Sequence, residues 1–470
     1  LNPAAAWTFS AAAALAASTA AAAPGPAPPT VRVDMAAAAA AATAVPAANA
    51  GAPADDTPID EAPPPSSAPP LVVTGYIDVG FAKAQGNGTS WQPGFTPTMP
   101  GAPADYYVDT FAPAVNSRGD VASTDPQGQP VDGFLPRSAG IGGRPSLLIN
   151  TADVDLRYTA SELPVLVFTR LQLVPRLYGP VVDPAQGMVP GEQTRLVLEQ
   201  AFGRVTPLRS AELAISVGKF DSVFGIEYLD NQANFRIGVT PSLISRYTTG
   251  ESVGAKVFYR VQLIPIFSAV SVNIAATNSG TFVESLQGPS RSLTGVPVGS
   301  IRFGYELNLE RVSLKLGASG AMGPRNDQIQ GAAQQQLLFG FDARFVAPTL
   351  AIAAEFVDVH EDGAVGPKLT GTNTYPMVTE FYAHGFYVQV AEELPLQIAP
   401  FRITLYGRYD RRNAEFEGYS NITVDRITGG LNVGIGESLQ VKAEYLINRE
   451  LVEAPTVANN VFASSVVWTW

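Results

Sequence analysis

From Leu71 to its last residue the chain keeps returning to a period of two, and that period limits the fold more than any other feature. Leu71, Val73, Gly75, Ile77, Val79 and Phe81 alternate with Val72, Thr74, Tyr76, Asp78, Gly80 and Ala82. Successive side chains of a strand point to opposite faces, so this stretch is a strand with one oily and one wetter face. The pattern recurs. Ile301, Phe303, Tyr305 and Leu307 oppose Arg302, Gly304, Glu306 and Asn308, and Leu439, Val441, Ala443 and Tyr445 oppose Gln440, Lys442 and Glu444. About sixteen such segments begin near residues 71, 147, 165, 193, 212, 252, 264, 299, 311, 336, 349, 380, 398, 422, 438 and 461. Each approaches the length of about 9–11 residues that a tilted strand needs to cross a bilayer.

The connectors alternate as well. Short ones, such as Ser161–Pro164, Glu310–Arg311, Ala347–Thr349 and Gly436–Ser438, take turns with long ones near 83–145, 177–192, 221–250, 278–298, 321–335, 361–379, 411–421 and 449–460. A barrel with tight turns on one side of a membrane and long loops on the other shows this alternation, whereas sandwiches and propellers have no reason to. An even strand count puts both chain ends on the short-turn side. The last strand, Val461–Trp470, carries Phe462, Val466, Trp468 and Trp470 on one face, and it must close the ring against the strand at Leu71–Ala82.

Periodicity does not say which face is outside, but electrostatics does. Packed in a dry core, the wetter faces would bury Arg157, Arg170, Arg195, Lys256, Arg260, Arg302, Lys315, Arg344, Arg402, Arg408, Arg426 and Lys442 together. Isolated buried charges cost several kcal/mol each. A water-filled lumen solvates them and leaves the oily faces to lipid. With Asp78, Glu306 and Glu444 they are the expected pore lining, in which basic side chains slightly outnumber acidic ones and give a weak anion preference. Composition agrees: 46% of residues are hydrophobic and only 15% charged, against about 25% charged in ordinary soluble domains. The absence of cysteine excludes structural disulfides, and a net charge of -12 argues against nucleic acid as a partner.

Ahead of the strands, residues 1–23 are alanine-rich with small-residue sites near Ala20–Ala23 and read as a signal-peptide-like segment. Residues 24–70 are rich in alanine and proline and read as an extended linker hanging in the periplasm. The domain plan is therefore 1–23, 24–70 and a barrel at 71–470.

One stretch resembles a known family. Gly218-Lys219-Phe220-Asp221-Ser222-Val223-Phe224-Gly225-Ile226-Glu227 is similar to the G-K/Q-F-x-x-x-F-G/S-x-E stretch of phosphate-selective porins and related β-barrel porins of Gram-negative bacteria. Asn231–Tyr247, Thr249–Ala255 and the opening Gly75–Phe81 resemble the same family more loosely. The resemblance implies an outer-membrane porin of a Gram-negative bacterium, embedded in outer-membrane lipid and able to form homotrimers. Its C-terminal aromatic strand (Phe462, Trp468, Trp470) would be read by the barrel-assembly machinery. The chain lacks the lysine-rich constriction loop and N-terminal coiled coil of the phosphate-specific members, so phosphate specificity does not carry over. In general porins the third long loop folds into the lumen. Here that loop is 221–250, and the resemblance makes Asp221, Phe224, Glu227, Tyr228, Asp230, Phe235, Arg236 and Arg246 its constriction residues, with its acidic residues facing basic residues of the wall.

Other chemistry has little support. His360 and His384 have no serine in a nucleophile-elbow pattern to serve. The Asp358–Asp362 run suits a solvated loop better than a cation site, and the glycines at Gly86–Gly88 lack the helix that a phosphate loop needs. Leu71–Gly75 after a Pro-rich linker resembles a TonB box, but a plug domain plus 22 strands does not fit the remaining chain. The expectation is a non-enzymatic all-β barrel with no cofactor and no metal, passing small polar solutes by diffusion. The competing reading is a non-conducting barrel that displays loop 83–145 as a scaffold or adhesin.

Overall fold

The computed structural model describes residues 70–84, 123–124, 130–131, 146–160, 164–183, 187–207, 212–264, 267–278, 297–324, 335–362, 364–365, 377–378, 380–396, 400–416, 421–451 and 460–470. The signal-like segment, the linker up to residue 69 and nearly all of loop 83–145 lie outside the described residues.

Sixteen antiparallel strands form one closed ring. In chain order they are β1 (Leu71–Ala84), β2 (Ser146–Thr159), β3 (Val165–Asp183), β4 (Gly187–Val205), β5 (Leu213–Asp221), β6 (Glu251–Ile264), β7 (Ser268–Thr277), β8 (Val298–Leu309), β9 (Val312–Pro324), β10 (Gln335–Val346), β11 (Leu350–Glu361), β12 (Phe381–Glu393), β13 (Phe401–Phe416), β14 (Ile422–Ile435), β15 (Leu439–Leu451) and β16 (Val461–Thr469). Each strand pairs with its sequence neighbours, and β16 pairs with β1 from Tyr76↔Thr469 to Ala84↔Val461. Closure removes both open edges. At the short-turn end it is completed by paired backbone bonds, Gly75 N to Trp470 O at 3.2 Å and Trp470 N to Gly75 O at 3.0 Å. Gly75 is required there, because a Cβ would stand 2.6 Å from the Trp470 ring and 2.2 Å from the Asp153 carbonyl.

The strand count, the closing pair and most boundaries match the sequence pattern. Two connectors do not. Residues 411–416, expected in the loop 411–421, continue β13 in register with β12 and β14, just as residues 358–361, expected as loop, end β11. The second lies between β3 and β4. Residues 177–192 are not a long loop: β3 and β4 run on as a ribbon with only 184–186 between them, and Pro180 lies opposite Pro190. Prolines there read as loop signals because they cannot donate to a ladder. Above Leu173 on β3 and Ala201 on β4, however, the described residues show no ladder pairing to β2 or β5, so these prolines interrupt none on that side. Two short ladders join Ser123–Thr124 to Pro130–Val131 and Ala364–Val365 to Met377–Val378.

The two faces of the ring are sorted opposite to those of a soluble protein. On β10, Phe341 is 62% exposed while its neighbour Asp342 is 6% exposed. The same holds around the ring, with Leu198, Val217, Val257, Phe303, Phe339, Ile447 and Trp468 outward and exposed. Arg302, Arg408, Arg426, Lys442 and Glu444 point inward and are buried. A continuous apolar exterior of this extent calls for an apolar surrounding, and an outward oily band around a polar interior is the arrangement of a transmembrane barrel.

Candidate functional site

The segment between β5 and β6, residues 222–250, lies inside the ring. Its entry is set by the G-K-F-x-x-x-F-G-x-E stretch. Gly218 has φ +136, and any Cβ there would strike the Ala201 carbonyl at 2.2 Å. Phe220 and Phe224 are fully buried. Phe220 and Val223 pack with Phe168, Phe202 and Ala275 of the inner wall, and Phe224 packs with Ile244, Tyr247, Leu338, Val357, Phe381 and Tyr387. Gly225 takes φ +71, the left-handed region that favours glycine. A Cβ at Gly225 would fall 1.7 Å from Glu355 Oε1. The two glycines thus let the chain turn inward and lie flat on the wall.

Wall carboxylates receive the segment's backbone amides. Glu355 Oε2 accepts from Glu227 N at 3.0 Å, Asp410 Oδ1 from Leu243 N at 3.1 Å, and Glu444 from Val239 N and Thr240 N at 2.8 and 2.9 Å. Tyr406 Oη donates to the same Glu444. Wall donors take its carbonyls. Arg408 donates to Thr240 O and Pro241 O at 2.8 and 2.7 Å, Asn432 to Ile237 O and Gln440 to Asn234 O at 3.0 Å each, and Lys442 to Ala233 O and Arg236 O. Ser319 Oγ accepts from Gly225 N at 3.0 Å, and Arg344 pairs with Asp230. These partners all sit on β9–β11 and β13–β15. Small apolar contacts extend the seat to the seam, where Val239 packs with Val461 and Ala463, and Ala233 with Tyr76 and Val467.

Inside the segment, Glu227 accepts from Ser242 N at 2.7 Å and from Ser242 Oγ. Burial pushes the Glu227 carboxyl above its usual range, against the Ser242 hydrogen bonds and the Arg408 charge. Arg236 spans its own loop, donating to Asp230 O at 3.2 Å, Val239 O at 2.9 Å and Asn231 O. Burial lowers the Arg236 guanidinium, with Glu227 opposing. A buried main-chain carbonyl needs a donor, and one planar guanidinium supplies several.

The expected constriction residues therefore separate by role. Glu227 and Arg236 fasten the loop internally, and Phe224 packs it on the wall. Tyr228 is half-buried and Phe235 is exposed. Asp221 ends β5, and the side chain of Arg246 lies outside the described residues. Asp230 of the loop pairs with Arg344 of the wall. Elsewhere the wall charges meet the loop's main chain.

The expected pore lining divides too. Arg408, Lys442 and Glu444 hold the loop, because charges under it have lost water and take backbone groups instead. Asp78, fully buried, accepts from Asn150 Nδ2 at 3.2 Å and from Ser465 Oγ, tying β2 and β16 across β1. Arg426 donates to Asn448 at 2.8 Å. Arg302 grips Asp342 with two bonds of 2.7 and 3.1 Å over Gly317, where a Cβ would stand 2.3 Å from that carboxylate. On the other half of the ring, Arg170 grips Asp155 at 2.7 and 2.8 Å and Arg260 meets Glu306 at 2.8 Å. Arg157, Lys315 and Arg402 are half-buried, and the Arg195 side chain lies outside the described residues.

Arg204 is missing from the expected pore lining, which does include Lys256. Arg204 is buried on the inner face beside Phe202 and Ser216, and Lys256 lies 4.8 Å over the Phe220 ring. Among the described residues neither has a carboxylate within ion-pair distance. The apolar seat under the loop did leave a trace: Leu337-Leu338-Phe339-Gly340-Phe341 is apolar on both faces, the mark of a strand covered on both sides.

No protein-family model matches the chain, and no curated protein matches it. Among solved structures the chain is similar to the outer membrane channel DcaP of Acinetobacter baumannii (12% identity, 85% of this chain and 97% of that one, TM-score 0.48). It is similar to OmpF of Salmonella typhi (11% identity, 85% and 97%, TM-score 0.47) and to an anion-selective porin from Comamonas acidovorans (8% identity, 85% and 99%, TM-score 0.45). At these identities the likeness is one of outline.

Proposed function

We propose that the chain is an outer-membrane channel through which small polar solutes diffuse passively, with residues 222–250 as its constriction. The observation that carries this reading is the pairing of an oily exterior with a charged interior in one closed ring, half of it covered by the inward segment. Solutes pass between that segment and the inner wall of β2–β8. No energy source is required, because the path is an aqueous gap lined by fixed charges, and such charges select among ions by sign and spacing.

The weak anion preference rests on fewer residues than a face count suggests. Arg408, Lys442, Glu444 and Asp410 are spent on the loop, and Arg170, Arg260 and Arg302 are each neutralised by a bound carboxylate. Arg204 and Lys256 are two inward basic groups with no carboxylate in ion-pair distance among the described residues, and they favour anions. Purified protein in a planar bilayer should give stable single-channel steps, and reversal potentials in a salt gradient should lie on the anion side. Replacing Arg204 and Lys256 with glutamine should move them toward zero. A silent barrel would favour the scaffold reading, and clear cation selectivity of the native protein would contradict the anion preference.

A further inference from the structure

The outer face of β13–β15 ends in an unusual row. On β13 the outward residues are Phe401, Ile403, Leu405, Gly407 and Tyr409, and on β15 they are Val441, Ala443, Tyr445 and Ile447. Nine residues of strand advance about 27 Å, and a tilt near 40° turns this into a rise of roughly 21 Å, close to the height of a membrane apolar band. The next outward position is charged on all three strands: Arg411, Asp425 and Arg449, aligned as direct cross-strand partners. Alternation fixes their direction, since Arg412, Arg426 and Asn448 between them are buried on the inner face.

Both arginines are exposed. The only carboxylate near Arg411 among the described residues is Asp425, at 3.8 Å, too far for a hydrogen bond. Arg449 has no ion pair among the described residues. Asp425 Oδ1 is buried without a hydrogen-bond partner among the described residues. Two guanidiniums with spare donors therefore flank one carboxylate, leaving a net positive charge at the upper edge of the oily belt. In the same row the belt continues over β12, β11 and β10 as Phe386, Phe356 and Phe341. Above it lie Asn413 and Thr423, hydrogen-bonded at 2.7 Å.

We propose that Arg411 and Arg449 form an outward-facing site for a phosphorylated headgroup of a lipid in the outer leaflet. This inference rests on the outer-membrane reading. A free solute is a poor candidate occupant, because the row borders lipid rather than the lumen, and a lipid whose tails lie on Tyr409, Ile427 and Ile447 places its headgroup at this height. Guanidinium forks match phosphate oxygens in pairs of hydrogen bonds. The long connectors leave this end of the ring, which is the extracellular end of an outer-membrane barrel.

The test uses the full chain in detergent, with lipid A and its dephosphorylated form as probes. Heat-modifiable mobility should show the native barrel surviving to higher temperature with lipid A but not with the dephosphorylated lipid. Combining Arg411→Gln with Arg449→Gln should abolish that shift, and Asp425→Asn, which keeps both arginines, should retain or enlarge it. An unchanged lipid A shift in the double variant overturns the site, as does an equal shift with the dephosphorylated probe. Single-channel conductance separates this failure from that of the parent reading. A double variant that conducts like the native protein while its lipid A shift is lost supports the site, whereas a native barrel that never inserts into bilayers removes the outer-membrane reading and the site with it.

Discussion

Replacing Glu444 with alanine should loosen the inner segment without opening the ring. The carboxylate is 2% exposed and accepts from Val239 N, Thr240 N and Tyr406 Oη. Hydrogen bonds to a charged group contribute about 1.5–3 kcal/mol each, so three give an upper bound of roughly 4.5–9 kcal/mol. Water entering the vacated space would satisfy some of the orphaned donors. A net loss of about 1 kcal/mol per bond, near 3 kcal/mol in all, is the reasonable size. That shifts the ratio of seated to unseated loop by about a hundredfold. The ladders on either side of β15 do not involve this side chain, so the barrel should still assemble and run as a folded, heat-modifiable species. In planar bilayers the variant should show larger mean conductance and frequent excursions between levels, with Glu444→Gln intermediate because it keeps one acceptor oxygen. Single-channel traces of Glu444→Ala indistinguishable from native in level and noise would refute the idea that wall carboxylates hold the constriction.

Gly225→Ala puts a Cβ within 1.7 Å of Glu355 Oε1 at φ +71, adding about 1–2 kcal/mol of backbone strain to the clash. The loop should shift off the wall, and conductance should rise in a barrel of native mobility. Deleting Trp468–Trp470 removes the Gly75–Trp470 bonds and the Trp468–Trp470 ring pair at 5.7 Å. Cell fractionation should show outer-membrane assembly lost, whereas trimming loop 83–145 should leave it largely intact. Glu227 titrates above its usual range because it is buried. The stability this lends the seated loop is full below the ordinary glutamate pKa and is lost as pH rises through the raised value. Channel noise should therefore increase from acid toward neutral pH, and Glu227→Gln should flatten that dependence.

The ring was legible in the sequence because period-two patterning encodes both strand direction and face, and a closed barrel gives every strand the same two environments. Boundaries failed where that rule lapses. Above the rim β3 and β4 have only each other, and prolines that would break an inner strand are tolerated at 180 and 190. The roles of lumen charges were less legible, since alternation reports a face and not a partner. Lys442 and Arg302 look alike in sequence, yet one donates to two loop carbonyls and the other to Asp342. The inward loop was legible through the family resemblance of the G-K-F-x-x-x-F-G-x-E stretch and its place as third long loop, but the carboxylates that receive it lie more than a hundred residues away in sequence, at Glu355, Asp410 and Glu444.

The division of the wall has a consequence for selectivity. A carboxylate bound to backbone amides and an arginine bound to carbonyls are held where they are by the loop, so mutating them changes pore shape and pore charge together. Arg204 and Lys256 sit outside that seat, on β4 and β6, and neither takes a loop carbonyl or a carboxylate among the described residues. Changing their charge should alter ion preference at nearly constant conductance, while changing Glu444 or Arg408 should alter conductance first. A lumen in which every charge affected both properties equally would mean that the loop is not fastened to one half of the wall.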